Sequence, residues 1–203
     1  MKLRLGLLAS HGGSNLQAIL DACRSGRLHA EPCVVICNNS DAPALERARR
    51  AGVPACHLSA HTHSDPGDLD QAIASALERH HVNLVVLAGY MKKLGPITLK
   101  RYRGCVLNIH PALLPKFGGQ GMYGRRVHQA VLAAAETTTG VTVHLVDEEY
   151  DRGPIVAQRA VPVRPDDTAD TLAARVLKVE HEIYVDTLER IARGAIDLPG
   201  LGD

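Results

Sequence analysis

Val82-Asn83-Leu84-Val85-Val86-Leu87-Ala88 is a nearly unbroken apolar run. A strand with one wet face alternates apolar and polar residues; a continuous run marks a strand covered on both faces, as in a parallel sheet flanked by helices. Toward the N-terminus, strand-like and helix-like runs alternate. Residues 3–8 read as a first strand. Ser14 then caps a helix carrying Leu16, Ile19, Leu20 and Cys23 at helical spacing. A strand over 32–37, a short basic helix over 43–50 with Pro43 in its first turn and Gly52 near its end, and an edge strand over 53–57 follow. Asp65-Pro66 opens a further helix with Leu69, Ile73 and Leu77 on one face.

Toward the C-terminus, Cys105-Val106-Leu107 begins another buried strand, over 105–109. A Gly-rich loop at 118–124 leads into a helix over 125–136. The period then changes: Val141, Val143 and Leu145 alternate with Thr142 and His144. Ile155, Ala157 and Val161 follow beyond Asp151-Arg152-Gly153-Pro154, predicting a hairpin with a bend. A final helix over 168–192 carries Leu172, Val176, Val179, Ile183 and Leu188, and 199–203 reads as a loose tail. With no repeat and no linker, this order predicts one α/β domain with a mixed sheet.

Composition excludes several classes of function. The 203 residues are 45% hydrophobic and 22% charged, with a formal net charge of +1, so the total gives no reason to propose a nucleic-acid or polyanion partner. One Phe, five Tyr and no Trp leave few platforms for stacking bases. Five cysteines (23, 33, 37, 56, 105) form no C-x-x-C pair, which points to reduced thiols in a cytosol. The opening apolar segment is too short for a signal peptide, and no run approaches a membrane span.

Asn108-Ile109-His110-Pro111 ends the 105–109 run. Side chains two apart on an extended segment share a face, and Pro111 keeps its predecessor extended, so an amide and an imidazole aim at one atom. The C-terminal end of a strand is where open α/β sheets place ligands. Ser10-His11-Gly12-Gly13-Ser14-Asn15 lies between a strand and a helix. It lacks both G-x-G-x-x-G and a Gly-Lys-Ser/Thr, and reads equally as a phosphate or carboxylate cradle and as a turn that binds nothing. Four carboxylates crowd Asp147-Glu148-Glu149-Tyr150-Asp151; most read as solvated, while Asp151 stands where the Gly153-Pro154 bend would fix its direction. A carboxylate held beside an imidazole raises its proton affinity and passes protons.

Gly13-Ser14-Asn15-Leu16-Gln17, Leu87-Ala88-Gly89-Tyr90-Met91, Asn108-Ile109-His110-Pro111 and Asp151 before Gly153-Pro154, in this order, resemble the glycinamide ribonucleotide transformylases. These are the folate-dependent formyltransferases of purine biosynthesis, and the resemblance implies a Rossmann-like open mixed sheet, parallel with helices on both faces in its N-terminal half and antiparallel at its C-terminal end. It spans residues 1–194 as one formyltransferase domain, with 195–203 as a tail. It implies Asn108, His110 and Asp151 as the catalytic triad. Gly13, Ser14, Asn15, Pro111 and Glu180 would bind the ribonucleotide. Met91, Lys92, Lys93, Leu94, Asn108 and the loop Asp147, Glu148, Glu149, Tyr150, Asp151 would hold 10-formyltetrahydrofolate as co-substrate. No metal, nucleic acid or membrane is implied; the enzyme would be cytoplasmic, a monomer or homodimer. The resemblance also implies a cis peptide at Leu114-Pro115.

Departures from the family pattern are Phe117 to Val127, where some relatives have a shorter loop, Pro66 in place of a folate-contacting arginine, and His11 and Arg152. His57, His61 and His63 have no second ligand cluster, Cys33 and Cys37 read as core thiols, Cys105 as a thiol beside the site, and Arg47 to Arg50 as a solvated helix face. The tRNA-formylating enzymes and the formyltetrahydrofolate hydrolases of this fold are expected to carry additional domains. A non-catalytic nucleotide-binding module would not need the triad.

Overall fold

The computed structural model describes residues 2–201. Its order is β1 (Leu3–Ala9), α1 (Ser14–Arg24), β2 (Ala30–Cys37), α2 (Pro43–Arg50), β3 (Ala55–His57), α3 (Pro66–Arg79), β4 (Leu84–Leu87), α4 (Pro96–Arg101), β5 (Val106–His110), α5 (Arg125–Ala133), β6 (Thr138–Leu145), β7 (Ile155–Pro162) and α6 (Ala169–Ala192). One sheet runs β3-β2-β1-β4-β5-β6-β7. The pairs from β3 to β5 are parallel, and β5-β6 and β6-β7 are antiparallel. This is the expected mixed sheet, with β4 buried along its whole length.

The chain moves outward from β1 to β3, then returns to β4 and moves outward the other way. Right-handed crossovers place the helices of the two halves on opposite faces, and the reversal between β1 and β4 opens a crevice at their C-terminal ends. α3 approaches β1 so closely that a Cβ on Gly6 would lie 2.4 Å from Leu77 Cδ2. On the other face α6 packs on α1 and α5. It buries Leu172, Val176, Ile183, Tyr184, Leu188 and Ile191, each worth about 1.5–3 kcal/mol. The Tyr184 hydroxyl lies 3.1 Å from the carbonyls of both Leu87 and Leu107, pinning α6 to β4 and β5.

Several expectations need correction. Ser14 is not the cap of α1: the capping position is Gly13, left-handed at φ 69°, which makes no side-chain cap bond. The short α4 has no counterpart in the sequence pattern. Its first amides, Ile97 N and Thr98 N, are bound by the Asp70 carboxylate of α3 at 2.7 and 3.1 Å, a cap supplied from a distant element. Residues 199–201 are not loose, because Leu198 is buried and a Cβ on Gly200 would lie 2.0 Å from the Arg103 carbonyl. Residues 202 and 203 of that tail, and Met1, lie outside the described residues. Pro66 occupies the first turn of α3, behind Asp65, whose carboxylate accepts from Gly67 N and Asp68 N at 2.8 and 3.0 Å. The cysteines form no disulfide among the described residues, and burial raises the Cys33 and Cys37 thiols as core positions require. No helix among those residues is long and apolar enough to cross a membrane.

Candidate active site

Asn108 and His110 sit on one face at the end of β5, as the two-residue spacing predicts. Antiparallel register sets His144 of β6 opposite Asn108 and Thr142 opposite His110. Directly paired residues share a face, so this pairing brings a second histidine into the site. His144 Nδ1 lies 2.8 Å from the Leu145 carbonyl, which can only accept, so that nitrogen carries the proton. The Nε2 of the same ring lies 3.1 Å from Asn108 Nδ2 and faces the Asp151 carboxylate. The Asn108 amide is oriented by this contact with its cross-strand neighbour. Thr142 anchors the following turn: its hydroxyl donates to Ala112 O at 2.7 Å and accepts from Leu114 N at 3.0 Å. The Leu114-Pro115 peptide is cis, as expected.

His110 is 3% exposed. Its Nε2 donates to the Phe117 carbonyl at 2.8 Å, and its Nδ1 lies 3.6 Å from Asp151 Oδ2. Asp151 thus meets His110, and its other oxygen lies 3.5 Å from His144 Nε2. The Gly119 amide donates to Asp151 Oδ2 at 2.9 Å, so residues 117–119 bridge imidazole and carboxylate. The approach is tight: a Cβ on Gly118 would fall 2.4 Å from Leu114 Cδ2. Asp151 itself is left-handed at φ 56°, a strained conformation for a residue with a Cβ. Gly153 wedges its bend, since a Cβ there would lie 1.9 Å from the Leu145 carbonyl.

Burial pushes the His110 pKa below the ordinary imidazole value, outweighing the pull of Asp151, so the ring is neutral near pH 7. Burial works to raise the Asp151 carboxyl, but the two histidines and the Gly119 amide prevail and hold it below the usual range. The pair therefore rests as neutral ring and carboxylate, able to share an incoming proton.

Two cavities meet here. A cleft of about 460 Å³ is lined by Asn15, Asn108, His110, Pro111, His128 and Glu180, among others. A smaller hollow of about 70 Å³ is lined by Lys92, Lys93, Leu94, His144, Asp147 and Glu149. Tyr90, Lys92, Asn108, Tyr150 and Asp151 border both. Met91 lines only the cleft, and Glu148 borders neither. Lys93 Nζ lies 5.6 Å from the Tyr150 ring centroid, and both residues border the hollow. A wider groove of about 820 Å³, bordered by Gln17, Arg24 and Arg47, contains none of the triad.

Asn15, in the first turn of α1, donates from Nδ2 to Glu180 Oε2 at 2.7 Å, while its buried Oδ1 has no partner. Burial raises the Glu180 carboxyl. Gly13 and Ser14 stand behind Asn15 rather than on the cleft wall. Arg47, expected on a solvated face, instead donates from Nε to the Gly12 carbonyl at 2.7 Å and from Nη1 to Gln17 Oε1 at 3.0 Å. The sequence pattern gives His144 only as an alternating residue of the 141–145 run and assigns no role to His128. Their signal was only their register, opposite Asn108 and along the inner face of α5.

The family profile described as formyl transferase matches residues 3–188. The chain is 40% identical over 194 residues to the chloroplastic phosphoribosylglycinamide formyltransferase of Vigna unguiculata, covering 95% of this chain and 62% of that one. It thus spans less than two thirds of that relative's length. It is 40% identical to the phosphoribosylglycinamide formyltransferase of Haemophilus influenzae, covering 96% of this chain and 90% of that one. The crystal structure of glycinamide ribonucleotide transformylase 1 from Symbiobacterium toebii superposes with a TM-score of 0.91 at 41% identity, covering 98% and 92% of the two chains. By profile, sequence and architecture alike, the chain belongs to the formyl transferase family.

Proposed function

We infer that this chain transfers the formyl group of 10-formyltetrahydrofolate to the amine of glycinamide ribonucleotide, giving the formylglycinamide ribonucleotide and tetrahydrofolate. The observation that carries this reading is the convergence of Asn108, His110 and Asp151 where two cavities meet, with Asn15 and Glu180 further along the same cleft. The cleft would take the ribonucleotide, its phosphate toward the Gly13-Ser14-Asn15 turn and its ribose hydroxyls toward Glu180. The hollow beneath Lys93 and Tyr150 would take the folate, together with Met91, Lys92, Leu94 and the 147–151 loop.

The substrate amine attacks the formyl carbon, forming a C–N bond and placing negative charge on the formyl oxygen. Asn108 N–H is one donor for that oxyanion. His110, neutral in the free protein, becomes the second by taking a proton from solvent, which it returns when the intermediate collapses. Each donor is worth about 3 kcal/mol in a pre-set site. Asp151 holds the imidazolium and, directly or through water, takes a proton from the attacking nitrogen. The proton passes to the folate nitrogen as its bond to carbon breaks, so no covalent enzyme intermediate is needed. Five cysteines outside any disulfide suit a reducing cytoplasm. The test is a steady-state assay with 10-formyltetrahydrofolate and, as acceptors, glycinamide ribonucleotide, water and charged initiator tRNA. Turnover with the ribonucleotide alone is expected; turnover with water or tRNA in its place refutes this assignment.

A further inference from the structure

α2 builds the turn that precedes α1. Ala44 N donates to the His11 carbonyl at 3.2 Å, Arg47 Nε donates to the Gly12 carbonyl at 2.7 Å, and the Cβ position of Gly13 lies 3.0 Å from Ala44 Cβ. In a trans peptide the carbonyl and the next N–H point in opposite directions. Both peptides here are trans. Holding the carbonyls of His11 and Gly12 against α2 therefore turns the amides of Gly12 and Gly13 away from it. Neither amide has a protein acceptor among the described residues. The first-turn amides of Ser14 and Asn15 follow, so four successive N–H groups stand ready for an anion. The unpartnered Oδ1 of Asn15, an acceptor on a residue only 7% exposed, stands in the same first turn and calls for a donor from the ligand, a hydroxyl or amine rather than the phosphate.

We propose that Arg47 is a positioning residue for the acceptor's phosphate: it fixes the Gly12-Gly13 peptide from behind, without touching substrate, and its bond to Gln17 locks the guanidinium to α1. This rests on the ribonucleotide assignment above. Arg47 is absent from the cleft wall, so its effect passes through the turn. A carbonyl released from Arg47 is free to swing toward the anion, replacing a donor with a repelling oxygen.

The experiment compares glycinamide ribonucleotide with its dephosphorylated riboside on the wild type, Arg47→Met and Arg47→Lys. Arg47→Met keeps the apolar stem and removes the donors. It is expected to raise the ribonucleotide KM about tenfold, the scale of one hydrogen bond to a charged group. The riboside KM, the folate KM and kcat stay as they were. Arg47→Lys keeps charge and one donor and is expected to raise it about threefold, lacking the planar fork. Should Arg47→Met fail to fold, Arg47→Lys carries the same comparison. A KM that moves equally for both acceptors, or for neither, overturns the proposal. A wild type that treats ribonucleotide and riboside alike refutes the phosphate site itself, and this proposal with it.

Discussion

Replacing Asp151 by Asn tests the electrostatic core of the site. At 3.6 Å and an effective permittivity of about 20, a cation on His110 and the Asp151 carboxylate attract by about 4–5 kcal/mol. The other carboxylate oxygen faces His144 Nε2 at 3.5 Å, a contact that the substitution also alters. Asn at 151 keeps an oxygen for the Gly119 amide, so the 117–119 bridge survives and the substitution removes charge with little change of shape. The free protein holds His110 neutral, and the attraction is then realised only when the ring takes its proton during reaction. Asp151→Asn should therefore lower kcat by about 10³, at 1.4 kcal/mol per tenfold, with both KM values within about threefold of wild type. Stopped-flow single turnovers assign the loss to chemistry, and ¹⁵N NMR of the imidazole should show its proton affinity falling further. A kcat loss under tenfold, or one matched by weaker binding of both substrates, refutes the reasoning.

Acid should destabilise the fold. Burial holds His110, His128 and His181 below the ordinary imidazole value of 6.5, so the unfolded chain binds protons that the folded chain refuses. Their contribution is complete above that value and is lost as pH falls below it, by up to about 1.4 kcal/mol per pH unit for each group. Asp151, held low in the fold, adds a loss in the same direction at more acid pH. His128→Phe should flatten the dependence of Tm on pH between about pH 7 and 5, and an unchanged slope counts against it. Gly13→Val places a Cβ at φ 69° and 3.0 Å from Ala44 Cβ. At about 1–3 kcal/mol of strain it should raise the ribonucleotide KM at least tenfold and spare the folate KM, and a folate effect of equal size contradicts the assignment. Tyr184→Phe leaves the carbonyls of Leu87 and Leu107 without their shared donor. Urea unfolding should register a loss of about 1–3 kcal/mol with kcat unchanged, and a loss of activity at full stability would place Tyr184 in the chemistry.

The architecture was legible because two local signals were strong. The unbroken run around Leu84 to Leu87 announced a strand covered on both faces, and the spacing of Asn108 and His110 announced a shared face. His144 was not legible as a site residue because alternation in 141–145 shows only that it shares a face with Thr142, whereas in the fold β6 is buried from Thr139 to Leu145. That burial arises from α6 and from the 112–114 turn packed against Gly140 and Thr142, which no local pattern of β6 records. α4 was invisible because six residues give no periodicity and its cap comes from Asp70, remote in sequence. Arg47 looked like one of several solvated arginines; only the fold shows that the Gly12 carbonyl lies within its reach. The meeting of Asp151 with His110 required the left-handed bend at Asp151, a tertiary conformation rather than a sequence preference.

The Tyr184 hydroxyl, held between two strand carbonyls, sits one helical turn beyond Glu180. The helix that presents Leu177 and Glu180 to the cleft is thereby bolted to the sheet, while the opposing wall is made of 119–124 and 150–151. The two sides are thus held differently, one through a helix bonded to the sheet and the other through loops that carry the Asp151 carboxylate. Substitutions at Met122 or Tyr123 can therefore change what borders the ligand without loosening the helix that presents Glu180.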